Sequence, residues 1–465
     1  VPADHDLPHI DVSALRVGMF VHLDLGWMAH PFPLSSFRLT QPEQIAVIRH
    51  LGLKRVRWSP ERSVLPDGGP WPAGGAAAGA GGAAGDQAAP SPGAAGEAAM
   101  PDATESAAAA AAASAPGAGA VAPDVAPDPW AEEQARARLC ERQQQEACRA
   151  WRLLADQVLG QPDQARETAA ALSRSLVDKL LPAGDVCVRV LAEPRGDRAS
   201  AHALNVAVLS LLLGRQLGLA PDLQQELGLG SLLHDIGKLN LPDRVRWPRE
   251  DFSAAELSLY RDHVGQGVQL GRRMSLPPGA LLVLGQHHET ADGRGFPLGV
   301  KQAQMNRLAS IVALVNAYDN LCNPASLARA LTPHEALSRL FSQHRRQHDE
   351  AVMGGLVRLL GIYPPGTVVE LSDGRPGLVL RVNGHHPMRP QLRVHDLSQP
   401  DGGLWLDLAR HPALSVRGSL RPEQLGLQAR QALEPRQRTA YFFEMAAPDE
   451  ALAESADAPT PQGAR

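Results

Sequence analysis

Leu232-Leu233-His234-Asp235-Ile236-Gly237-Lys238 is the stretch on which the fold turns. It sets a histidine beside an aspartate on an otherwise apolar helix. Burying two such polar groups is expensive unless something satisfies them, and a divalent metal does. A His-Asp pair alone says little. Its surroundings add weight: His202 on the preceding helix, His263 in Asp262-His263-Val264-Gly265, the pair His287-His288, and the turn Asp292-Gly293-Arg294-Gly295-Phe296-Pro297. The chain holds 17 histidines, and five of them fall in this one helical region, more than composition alone would place there.

Working outward, apolar residues recur at helical spacing over 202–217, 223–233, 254–274, 279–288, 305–321, 333–341 and 351–360, so residues 184–361 read as an all-α core. Beyond Tyr363-Pro364-Pro365-Gly366 the period drops to two in Thr367-Val368-Val369-Glu370-Leu371, in 377–382 and in 391–394, with Asp373-Gly374 as a hairpin turn. Residues 362–445 are therefore a small β-rich domain and 446–465 a polar tail. Upstream, 129–183 is a charged helical segment broken at Gly160-Gln161-Pro162. The Ala/Gly/Pro-rich residues 64–128 have too little apolar surface to offset chain entropy and read as a disordered linker. Residues 8–63 form a small α+β module. Its strands are expected at 18–23 and 54–58, and its helix starts at Thr40-Gln41-Pro42, with Ile45, Ile48 and Leu51 on one face.

Composition bounds the function. A chain of 465 residues suggests two to four domains, and 44% hydrophobic content excludes a wholly disordered protein. A net charge of −5, from 45 basic and 50 acidic residues without a basic stripe, argues against DNA as a partner. Cys140, Cys148, Cys187 and Cys322 match neither a zinc ribbon nor a disulfide scaffold, so they read as thiols in a reducing compartment, the cytoplasm. The opening Val1-Pro2-Ala3-Asp4 lacks the features of a signal peptide, and the alanine run 107–113 is too short to insert in a membrane.

The ordered set His202, His234-Asp235-Ile236-Gly237-Lys238, His263, His287-His288-Glu289 and Asp292 to Pro297 resembles the HD-GYP domains, a branch of the HD phosphohydrolases. The likeness covers about 200–363. Residues 17–63, with Asp24-Leu25-Gly26-Trp27-Met28 and His30-Pro31-Phe32, look like the small domain of unknown function that often precedes bacterial HD-GYP domains. The β-rich end is similar to the family's C-terminal extension. The resemblance implies a multidomain protein with an all-α HD-type helical core that hydrolyses cyclic-di-GMP in bacterial signal transduction. It implies two divalent metal ions, iron or manganese, with His202, His234, Asp235, His263, His287, His288 and Asn316 as metal ligands and Asp235 bridging the ions. Asp235 and Lys238 would then be catalytic, Lys238 meeting the phosphate as a point charge.

Five positions depart from the family's pattern. Phe296 keeps the ring of the family's tyrosine and loses its hydroxyl. Asn316 stands where an aspartate is usual; its carbonyl can ligate but brings no charge, so weaker metal binding is expected. Asp319, one helical turn on, is expected in its ordinary family role. Ala325 and Ala328 fall where basic residues hold substrate phosphates, which leaves Lys238 and the neighbouring Arg329 as the expected substrate-binding residues. Arg198 replaces a glutamate that some members use for a third metal, so no trinuclear site is expected. Reduced activity follows. A second reading stands beside the first: a degenerate, catalytically silent domain that binds a cyclic dinucleotide or protein partners.

Expected partners are cyclic-di-GMP or a related cyclic dinucleotide, diguanylate-cyclase-type signalling domains, and a second copy of the chain paired through 130–181. Asp292, Gly293, Gly295, Phe296 and Pro297 are expected either to dock the signalling domains or to serve only as turn residues. Trp27 and His30 are expected to pack, and His385-His386 to sit exposed in a hairpin loop.

Overall fold

The computed structural model describes residues 7–25, 30, 32, 36–64, 129–180, 186–191, 197–249, 251–382, 388–399 and 402–445. Trp27, all of the expected linker 64–128 but Val64, the loop at His385-His386 and the tail 446–465 lie outside them.

The N-terminal unit is a four-stranded antiparallel sheet with one helix. Strands β1 (His9–Asp11), β2 (Phe20–His22), β3 (Ser36–Arg38) and β4 (Arg55–Ser59) lie in the order β1-β4-β2-β3, and α1 (Pro42–His50) precedes β4. Pro42 opens α1, where its missing N–H is no loss. Gln44 Oε1 accepts the Thr40 backbone N–H at 2.7 Å and holds the chain entering the helix. Ile45 and Ile48 bury against Val21, Leu39, Val56 and Trp58, the expected helical face.

Next come α2 (Pro129–Gln157) and α3 (Pro162–Leu180). Their apolar faces, including Cys148, Trp151, Leu154, Ala169, Leu172 and Leu176, belong to the same core as Leu204, Leu211, Leu227 and Leu314. The apolar side of these helices is thus buried within one chain, each full leucine contributing about 2 kcal/mol. Trp151 Nε1 donates to the Leu232 carbonyl at 2.9 Å, so α2 grips the chain just ahead of His234. Buried Lys179 of α3 donates to the His30 carbonyl at 2.8 Å and joins the N-terminal unit to the core.

Residues assigned to an all-α core from 184 begin instead with strand β5 (Val186–Leu191). The helices α4 (Arg198–Gln216), α5 (Pro221–Leu233), α6 (Ala254–Arg261), α7 (His263–Arg273), α8 (Pro278–Gln286), α9 (Arg307–Cys322), α10 (Pro333–Gln343) and α11 (Glu350–Leu360) follow. The single helix expected over 254–274 divides at Asp262, which puts His263 in the first turn of α7. Likewise His287-His288 fall just past α8, and His234-Asp235 just past α5.

The C-terminal unit holds β6 (Val368–Leu371), β7 (Pro376–Arg381), β8 (Gln391–His395), β9 (Gly403–Asp407), β10 (Val416–Leu420), α12 (Leu427–Leu433) and β11 (Ala440–Met445). The β6–β7 hairpin turns at Asp373-Gly374, Gly374 taking the positive φ of 87° that glycine adopts freely. Its sheet runs β10-β6-β7-β5-β11, with β8 and β9 extending from β7. Because β5, which leads into α4, lies between β7 and β11, this sheet takes strands from both sides of the helical core in the chain. Arg189 of β5 is buried there. It bonds both oxygens of Glu444 on β11 at 2.8 and 2.9 Å and Glu133 on α2 at 2.5 Å, while Arg381 of β7 reaches Glu444 at 2.7 Å. The four cysteines are free and buried.

Candidate metal centre

The His-Asp pair lies on the turn between α5 and a 3-10 helix, Ile236–Asn240. Gly237 in that turn touches the backbone of α7: a Cβ there would stand 2.0 Å from the His263 carbonyl oxygen and 2.4 Å from the Gly267 nitrogen. Only glycine allows this approach, and the approach brings His263 alongside Asp235. His287 and His288 enter from the end of α8, and His202 from α4.

Asp235 divides the cluster in two. Its Oδ2 lies 3.3 Å from His202 Nε2 and 3.5 Å from His234 Nε2. Its Oδ1 lies 3.3 Å from His263 Nε2 and 3.6 Å from His287 Nε2. His202, His234 and Asp235 form one group of potential ligand atoms within 4.8 Å of one another; Asp235, His263, His287 and His288 form another.

Hydrogen bonds behind the rings fix what they present. The Nδ1 atoms of His234, His263 and His287 donate to the carbonyls of Ser231, Tyr260 and Leu284 at 2.7, 2.6 and 3.0 Å. Burial pushes the pKa of all three down, so they are neutral and their Nε2 atoms carry lone pairs. His263 Nε2 and His287 Nε2 then face each other at 3.3 Å with no proton between them. That repulsive spacing suits two nitrogens ~2.1 Å from one shared ion, which stand ~3.0–3.4 Å apart. Asp235 Oδ1 and His288 Nε2 are buried without a hydrogen-bond partner. The donor set therefore fits a pair of cations sharing one carboxylate.

His202 differs. Its Nδ1 bonds Asp319 Oδ2 at 2.6 Å. Burial opposes its charge, but the hydrogen bonds to Asp235 and Asp319 prevail and raise its pKa to about 9. Asp235 is held well below the usual carboxylate range: burial opposes this, and the Lys238 ammonium overcomes it. Lys238 Nζ sits 2.5 Å from Asp235 Oδ2, over the rings of Trp247 and Tyr260 at 4.9 and 5.3 Å.

The loop after His288 walls one side. Glu289 accepts the backbone N–H groups of Leu298, Gly299 and Val300 at 2.7–3.1 Å. Gly295 lies so close that a Cβ would meet the Glu289 Cα at 2.4 Å. Phe296 stacks on His288 with ring centroids 4.5 Å apart, and Asp292 accepts from Thr290 Oγ1 and the Arg294 N–H. These motif residues shape the site.

The structure thus gathers His202, His234, Asp235, Lys238, His263, His287 and His288. Asn316 is buried on α9, but its amide oxygen accepts from Asn320 Nδ2 at 2.7 Å. The α9 side chain that touches the cluster is Asp319. Arg329 is exposed in the short turn Leu327–Arg329. Sequence reasoning left Asp319 without a contact and passed over Asn205, which donates to Asp319 at 2.8 Å, and Trp247. Helical spacing on α9 was the available signal for Asp319; Trp247 lies in a stretch with no periodicity to read.

Residues 186–352 match the family model described as HD domain, and residues 7–169 match a domain of unknown function, DUF3391. The chain is 34% identical over 198 residues to the cyclic di-GMP phosphodiesterase PA4108 of Pseudomonas aeruginosa, a match covering 42% of this chain and 47% of that one. It is 27% identical to the cyclic di-GMP phosphodiesterase response regulator RpfG of Xanthomonas campestris, over 42% of this chain and 48% of the relative. The chain spans about half the length of the curated relatives it matches. Among solved structures, Bd1817, a HDG"Y"P protein from Bdellovibrio bacteriovorus, aligns over 50% of this chain and 73% of its own, at 23% identity and a TM-score of 0.36.

Proposed function

Because the chain joins a DUF3391 module to an HD domain, we propose that it is a metal-dependent phosphodiesterase, that cyclic-di-GMP is its substrate, and that two divalent ions, iron or manganese, occupy the histidine cluster. The observation that carries this reading is the division of ligands by Asp235, with Oδ1 and His288 Nε2 buried and unbonded. His202 and His234 would hold the first ion, His263, His287 and His288 the second, and Asp235 would contribute to both. Such a pair supplies positive charge for phosphoryl oxygens and makes water nucleophilic near neutral pH.

The chain's own residues do the rest. Asp319 orients His202, and the three carbonyl-bonded histidines are locked in the ligating tautomer before any ion arrives. Lys238, kept charged by Asp235 against the cost of burial, offers a cation to a phosphate oxygen next to the reacting centre. Phe296 and Tyr260 cover His288 and His263, which keeps bulk water from that lobe. A silent binding module is the second reading. The engagement of Asn316 by Asn320 favours it, since the first ion then gains no ligand from position 316.

Anaerobic reconstitution with manganese or iron, followed by metal analysis and turnover of cyclic-di-GMP, tests both. The enzyme reading expects about two equivalents of metal and turnover that Asp235→Ala abolishes. Turnover surviving Asp235→Ala would sink it. A metal-loaded but silent parent chain in which Asn316→Asp gains activity would establish the binding module instead.

A further inference from the structure

We propose that Arg198 and Arg438 form an anion pocket on the His202 side of the metal centre, and that it holds the phosphodiester of a cyclic dinucleotide that is not being cleaved. The inference rests on the proposed phosphodiesterase reading. A cavity of about 200 Å³ lies against His202, lined by Arg198, Asn205, Asp319, Asn323 and Arg438 among others. Whole-ligand pockets are usually ~300–1,000 Å³, so this one suits a single group of a larger molecule.

Its charge balance favours an anion. The two carboxylates on its wall are already occupied. Asp197 pairs with Arg152 at 2.8 Å and accepts the N–H groups of Ala199 and Ser200. Asp319 accepts from His202 Nδ1, Asn205 Nδ2 and Asn323 Nδ2 at 2.6, 2.8 and 2.8 Å. Arg198, by contrast, has one hydrogen bond, to the Asn323 carbonyl at 3.0 Å, and among the described residues no carboxylate within ion-pair distance. Its guanidinium carbon lies over Trp247, 3.9 Å from the ring centroid, a contact that helps hold the fork in place. Burial, with Arg438's charge added, lowers its pKa to about 10. Arg438, half-buried just before β11, bonds the Pro324 carbonyl at 3.3 Å and faces the same cavity. An anion in the cavity meets the Arg198 guanidinium, and planar guanidinium forks such as those of Arg198 and Arg438 match phosphate oxygens.

The pocket connects to the reacting centre. His202 borders both, and Trp247 lies under Arg198 while also facing the Lys238 ammonium beside Asp235. A ligand with two phosphates can place one at Asp235 and the other between the arginines. Ala325 and Ala328 offer no charge for that second group.

The test uses the full chain loaded with manganese and two substrates: cyclic-di-GMP, with two phosphodiesters, and bis(p-nitrophenyl) phosphate, with one. Arg438→Ala and Arg198→Lys should raise KM for cyclic-di-GMP by about tenfold to a hundredfold with kcat little changed, and lower its kcat/KM relative to the single-phosphate substrate. Bound manganese and thermal unfolding report whether each variant is folded; if Arg198→Lys is not, Arg438→Ala and Arg438→Lys carry the result, with lysine restoring part of the loss. Calorimetric titration of cyclic-di-GMP into the chain in EDTA gives a second readout, since the arginines do not need the ions. A parent chain that turns over neither substrate overturns the phosphodiesterase reading, and the titration then still decides the pocket. Unchanged KM and unchanged metal-free affinity in Arg438→Ala overturn the pocket itself.

Discussion

Two clusters of buried charge in this molecule use similar side chains and end differently. Around Arg189, every donor finds a carboxylate. Glu444 takes its Nε and Nη2, Glu133 takes its Nη1, Arg381 adds a second cation on Glu444, and Arg136 reaches the other oxygen of Glu133 at 3.2 Å, so each carboxylate is shared by two guanidiniums. Around Asp235, one carboxylate stands among five imidazoles, two of which face each other through lone pairs, and two polar atoms bond nothing. The first cluster is finished and acts as a clasp between α2, β5, β7 and β11. The second is finished only by something from outside the chain, because a buried polar atom left unpaired costs free energy that a cation removes.

That contrast can be broken by cutting each cluster in turn. Glu444→Ala strands Arg189 and Arg381 without their main partner, and urea unfolding should show a loss of about 3–5 kcal/mol. His288→Gln removes a nitrogen that bonds nothing, so the metal-free chain should lose no more than about 1 kcal/mol while its metal content falls. Equal losses in the two variants would erase the distinction.

Adding the missing cation sharpens it. Manganese at a hundred times its dissociation constant should stabilise the parent chain by about 2.7 kcal/mol, and chelation should reverse this. Glu444→Ala should gain as much from the metal as the parent does. A parent melting curve indifferent to manganese would place the Asp235 cluster with the finished ones.

The smallest expected effect lies behind His202. Asp319→Asn keeps the shape but loses the charge that orients the ring, and metal affinity measured by competition with a chelator should fall about 10–100-fold. No change would reduce Asp319 to a packing residue.

Much of this was legible from the chain alone. His234-Asp235 with the turn glycine at 237, and the pair His287-His288 with the loop to Pro297, are each encoded in one short run, and spacing suffices to find them. The run Val186 to Leu191 is also apolar and short, but such a run does not say which sheet it joins. Its partner strand, with Phe442 opposite Arg189, comes about 250 residues later. The resemblance implies Asn316 as the α9 ligand; in the fold its amide is engaged by Asn320, while Asp319 bonds His202.

By itself, then, the sequence determined the ligand types, the turns that expose them and the helices that carry them, because sterics and periodicity act over one or two turns of chain. Only the tertiary structure decided that Asp235 faces two groups of histidines, that Asp319 backs His202 from 117 residues away, and that Arg438 meets Arg198 at one cavity. Tautomers, pKa values and charge balance are set by whichever groups packing brings within a few ångströms, and no local pattern records those neighbours.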